Sequence, residues 1–108
     1  MSQPLRSELS AHLARIGAGE RGFEAELTMT VPSRLAVVEE AVEIVARHLE
    51  AHFVDRHTIR FNLRVAFTEA LSNAIVYGNG EDPAKQVLVR VRFGRFAVEM
   101  EVTDDGAG

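Results

Sequence analysis

The chain has 108 residues, 46% of them hydrophobic and 26% charged, with a net charge of −4. That length fits one small domain with a modest core, and the acidic balance excludes a nucleic-acid or anionic-membrane binder held by bulk charge. There is no cysteine, hence no disulfide framework and no thiolate chemistry. No apolar run is long enough to span a bilayer, and the start, MSQPLRSELSAHLARIG, lacks the continuous apolar core of a signal peptide. A cytoplasmic location is expected.

Residues 4–16 place Leu5, Leu9, Leu13 and Ile16 at helical spacing after Pro4, with Gly17 as a stop. This predicts a short amphipathic helix, and with the linker that follows it makes up residues 1–22. GAGERG at 17–22 matches G-x-G-x-x-G, but a dinucleotide site needs a strand before it and a helix after it. Here the predicted order is the reverse, and a connector is expected. From Phe23 to Val31 apolar and polar residues alternate, which predicts a half-buried strand. Pro32 and Ser33 open a helix with Ser33 as N-cap, and Leu35, Val38, Val42, Val45 and Leu49 form its core stripe to about Phe53. His48 and His52 lie one turn apart there, but no HExxH order accompanies them, and imidazolium is favoured at a helix C-terminus without any metal.

A second helix is predicted from about Thr58 to Tyr77, with Ile59, Leu63, Ala66, Phe67, Ala70, Leu71, Ala74 and Ile75 on its apolar face, ended by Gly78-Asn79-Gly80. Residues 86–103 read as a hairpin turning at Gly94-Arg95. That turn pairs Phe93 with Phe96, Val91 with Val98, Val89 with Met100 and Arg90 with Glu99. The whole is expected to be an α+β two-layer sandwich, with helices on one face of a mostly antiparallel sheet.

Two places carry possible chemistry. In TEALSNAIVYGN, Glu69 and Asn73 share one stripe of the second helix, expected at the edge of the core. A carboxamide oxygen suits Mg²⁺, and a neighbouring carboxylate can orient or deprotonate a hydroxyl. The end, Asp104-Asp105-Gly106-Ala107-Gly108, follows a predicted strand, where loops often build ligand sites. There glycines allow close backbone approach, and an aspartate can accept a hydrogen bond from an amino group such as that of a purine. Either motif alone is as readily a solvated helix face or a surface turn.

In this order the two motifs resemble the GHKL ATPase superfamily, with its Bergerat ATP-binding fold. EALSNAIVYGN is similar to the N box and DDGAG to the G1 box, over about Phe23 to Gly108, and the serine kinases among bacterial anti-sigma factors are the most similar branch. Sensor histidine kinases of the superfamily usually carry His where this chain has Glu69. The resemblance implies ATP and Mg²⁺, with Asn73 on the metal and Glu69 as general base for a seryl or threonyl hydroxyl. It gives Asp104 to the adenine amino group and Gly106 and Gly108 to the turn beneath the nucleotide. Asp105 is assigned no role. It further implies an anti-anti-sigma (STAS-type) partner and a sigma factor; a homodimer is expected from the sheet edge that a domain stopping at G1 leaves exposed, and neither nucleic acid nor membrane is expected from the charge and the lack of a long apolar run. The family continues past G1 with an ATP lid and a second glycine motif, so residues 23–108 are expected to be the N-terminal part of a longer domain. The alternatives are a catalytically incomplete interaction module of the same fold, and an ATPase domain serving a histidine kinase or a fused phosphatase.

Overall fold

The computed structural model describes residues 9–16, 22–52, 58–94 and 97–105, without the side chains of 52 and 58–60. Strands β1 (Ser10–Arg15), β2 (Ala25–Pro32), β3 (Gln86–Phe93) and β4 (Val98–Asp104) form one antiparallel sheet in chain order. A 3₁₀ turn, Leu35–Val37, leads into helix α1 (Val38–His52). Helix α2 (Arg64–Asn73) is extended at both ends by π-helical turns, Thr58–Leu63 and Ala74–Gly78.

The core follows from strand alternation. Ala25, Leu27, Met29 and Val31 of β2 and Val87, Val89, Val91 and Phe93 of β3 are buried against Val38, Val42, Val45 and Leu49 of α1 and Phe67, Leu71 and Ile75 of the second helix. Burying each such side chain contributes about 1.5–3 kcal/mol. Both helices lie on this one face, so the molecule is the expected α+β sandwich. Leu35, Ala66 and Ala70, read as core-facing, are exposed.

The N-terminal helix expectation is corrected. Ser10–Arg15 is a strand paired residue for residue with Ala25–Thr30, and Ile16 N–H continues the pairing to Glu24 C=O at 3.0 Å. The free edge of β2 offers six consecutive backbone pairs, and that outweighs a weak helical spacing of leucines. Residues 4–8 of the predicted helix lie outside the described residues, as do 17–21 of the connector.

The hairpin register is corrected as well. Val91 pairs with Met100 and Phe93 with Val98, a shift of two from the predicted pairing, and Gly94 N–H closes the ladder on Ala97 C=O at 3.0 Å. Arg95 and Phe96, which the predicted turn and its Phe93–Phe96 pair involve, lie outside the described residues. An even shift leaves every side chain on its face, so the hydrophobic pattern cannot separate the two registers. Charge does. The observed register sets Arg92 opposite Glu99 and Arg90 opposite Glu101, with ion pairs of 3.5 and 3.6 Å, and both arginines also reach Glu26. The predicted one makes a single such pair.

The helices are tied by a two-pronged ion pair. Arg64 donates to both carboxylate oxygens of Glu43, at 3.0 and 3.2 Å. This hydrogen bonding, and then the guanidinium charge, holds the Glu43 carboxyl below its usual range. A lowered folded-state value means the contribution is present at neutral pH and is lost as pH falls through that value. Stability should therefore drop more steeply on acidification below about pH 4.3 in the wild type than in Arg64→Ala. Urea midpoints between about pH 3 and pH 7 check this, and parallel curves would refute it.

Candidate functional site

Helix α2 sets the first half of the site. Phe67 and Leu71, with Ile75 beyond, turn one stripe toward the sheet, which leaves Thr68, Glu69 and Asn73 on the exposed side. Glu69 and Asn73 are four residues apart and so are neighbours, with Cβ atoms about 5–6 Å apart. The sequence placed them at the edge of the core; they stand in solvent, where both can meet a ligand. Glu69 also lines an open groove between the helices, with Leu35, Val38, Val42 and Val65.

The helix then widens. Asn79 N–H reaches back to Ala74 C=O at 2.8 Å, a π-type closure, and Gly80 and Glu81 take left-handed backbone (φ 62° and 56°) that turns the chain toward β3. Such π turns recur at functional sites. Here one follows Asn73 directly and carries Tyr77, which is 82% exposed, and Gly78.

Asp104, the last residue of β4, brings the second half of the site to this helix end. It is half-buried, and its side chain lies against Gly78 so closely that a Cβ there would overlap the carboxylate. Gly78 is thus required by packing and not by a positive φ. Asp104 is pressed against the helix whose preceding turns display Asn73 and Glu69. Gly106 and Gly108 lie outside the described residues.

Sequence reasoning missed the polar centre of this junction. Asn79, read only as a helix breaker, is 3% exposed. Its Nδ2 donates to Ser33 Oγ at 2.6 Å and to Gln86 C=O at 3.0 Å, and its Oδ1 accepts from Asp105 N–H at 2.8 Å. Asp105 is not idle either, since its carboxylate accepts Gln86 N–H at 2.9 Å. Ser33 is not the N-cap predicted for it. Its hydroxyl is taken by Asn79, no side chain caps the 3₁₀ turn, and Glu39 and Glu40 complement the dipole of α1 instead. No local pattern announces a cluster in which Asn79 bonds to a residue 46 positions away in the chain.

His48 makes a local contact, its Nδ1 lying 2.9 Å from Ile44 C=O, while the His52 side chain is outside the description. Among the described residues no group of three or more His, Asp or Glu side chains could hold a metal by itself, and no helix is long and apolar enough to cross a membrane.

An exposed Glu–Asn stripe on a helix that ends against a strand-terminal aspartate, over one face of an antiparallel sheet, is an arrangement suited to a polar ligand. The sequence profile of the histidine kinase-like ATPase domain matches residues 31–108, which takes in both helices, the hairpin and the terminal DDGAG. The chain belongs to this family, and ATP is the ligand the family implies. Comparison with curated proteins and with solved structures gives no match.

The Gly78–Asp104 contact makes a direct prediction. Gly78→Ala should destabilise the fold by about 1–3 kcal/mol, as an added methyl in a filled contact does. Denaturant unfolding measures it, and a change below about 0.5 kcal/mol would mean that Asp104 moves aside freely.

Proposed function

We propose that the chain is an ATP-binding serine/threonine kinase module of the anti-sigma-factor type. It phosphorylates a STAS-type anti-anti-sigma partner and, when free, binds a sigma factor. The observation that carries the kinase reading is the placement of Glu69 and Asn73 side by side on the exposed face of a helix whose end packs on Asp104.

The roles follow from chemistry. Asp104 accepts a hydrogen bond from the adenine amino group; its close seat on Gly78 supports a fixed orientation. Gly106 and Gly108 keep the role the resemblance gives them, letting the backbone pass beneath the nucleotide. Asn73 fits a Mg²⁺ site, because that ion keeps several waters and takes only one or two protein oxygens beside those of the phosphates. Bound there, the ion supplies neutralisation of phosphate charge. Glu69, one turn away, accepts the proton of the attacking seryl or threonyl hydroxyl as its oxygen bonds to the γ-phosphorus and ADP leaves. Positioning and charge neutralisation do most of the work in such transfers. A homodimer belongs to the same reading, since β1 and β4 each leave a sheet edge unpaired among the described residues.

Calorimetry with ADP and ATP, with and without Mg²⁺, tests the site. The wild type should bind saturably. Asp104→Asn should weaken binding about tenfold or more, the worth of one hydrogen bond to a charged group, and Asn73→Ala should remove the Mg²⁺-dependent part. Glu69→Gln should retain binding and lose transfer to a serine-bearing partner. Absence of saturable binding by the wild type up to about millimolar nucleotide would leave the interaction-module reading in its place.

A further inference from the structure

We infer that Asn79 is a positioning residue for Asp104, acting as a side-chain amide spliced into the end of the β3–β4 ladder. The inference rests on the adenine-binding role proposed for Asp104.

In an antiparallel ladder hydrogen-bonded pairs alternate with non-bonded ones. Counted from the closing pair Gly94–Ala97, the bonded pairs fall at Arg92–Glu99, Arg90–Glu101 and Leu88–Thr103. The next in register is Gln86 with Asp105. There the ladder has already ended, at Val87–Asp104. Asp105 N–H donates to Asn79 Oδ1 at 2.8 Å in place of a strand carbonyl, and Gln86 C=O accepts from Asn79 Nδ2 at 3.0 Å in place of a strand N–H. The remaining donor, Gln86 N–H, goes to Asp105 Oδ2 at 2.9 Å. One carboxamide thus stands where the two strands would otherwise meet, with the donor and acceptor of a peptide group.

The orientation of that amide is fixed. Its nitrogen has two acceptors, Gln86 C=O and Ser33 Oγ, and its oxygen has one donor, Asp105 N–H. A flipped amide sets oxygen on oxygen and N–H on N–H. The consequence for Asp104 is positional. Gly78 and Asn79, consecutive at the helix end, hold Asp104 and Asp105, consecutive at the strand end, the first by contact and the second by hydrogen bond. Strand pairing stops right after Asp104, and its carboxylate is aimed from a last, rigid rung.

The test uses the full chain and two nucleotides, ADP and IDP, which differ at the purine 6-position (amino against oxo). Asn79→Ala and Asn79→Asp are compared with Ser33→Ala, which removes only the anchor on the β2–α1 side. The wild type should prefer ADP. The Asn79 variants should lose about tenfold of that ratio, while Ser33→Ala loses stability and keeps the ratio. Loss of stability alone cannot change a ratio measured on folded protein. An unchanged ratio in a folded Asn79 variant overturns the inference. If neither Asn79 variant folds, hydrogen exchange at the Asp105 amide of the wild type decides: slowing on addition of ADP supports the inference, and no change overturns it. If the wild type binds neither nucleotide, the kinase reading fails first, which is a distinguishable result.

Discussion

A single buried carboxamide holds three distant parts of the chain together. Asn79 reaches the β2–α1 junction through Ser33, the start of β3 through Gln86, and the segment after β4 through Asp105. A buried amide with all its partners contributes modestly, but one deprived of them costs the full desolvation of each orphaned group. Each bond of the network thus costs more to lose than it contributes when made. Everything proposed for Asp104 presupposes that this junction is closed.

The two halves of the site are built differently. The Glu69–Asn73 half is held from behind: Phe67, Leu71 and Ile75 are buried in the sheet-facing stripe, so Glu69 and Asn73 are presented on the exposed side. The Asp104 half is held from the front, by direct contact with Gly78. A rigid helix displays polar groups to solvent, and a strand terminus is clamped to the end of that same helix. Relative motion of the two halves is limited because one helix belongs to both, the kind of preorganisation that positioned chemistry requires.

How much of this was legible follows the physics. Strands β2, β3 and β4 were read from alternation, and both long helices from their buried stripes, because one-sided burial writes itself into local sequence. Strand β1 was not, since Ser10–Arg15 faces no complete second layer and carries no clean alternation; its state is decided by the backbone groups of β2. The register was misread by two because the apolar pattern is blind to an even shift, and the pairing of Arg90 with Glu101 and Arg92 with Glu99 distinguishes the two. The motif residues Glu69, Asn73 and Asp104 were legible as types in order. Asn79 was not, because its meaning lies in partners that only the fold assembles.

Strand β1 has one more property. Its Leu13 shares a face with buried Leu27, yet is 42% exposed, because the helical layer covers β2 and β3 and stops short of the sheet's first strand. Backbone bonds thus retain β1 with little apolar burial behind them, the description of a segment that opens locally well below the global unfolding free energy. Release of β1 would leave a sheet of three strands. It would uncover the backbone edge of β2, whose opposite neighbour, β3, is buried in the core. Such a release would expose a strand edge on the flank away from β4, the side of the sheet opposite the strand that ends in Asp104.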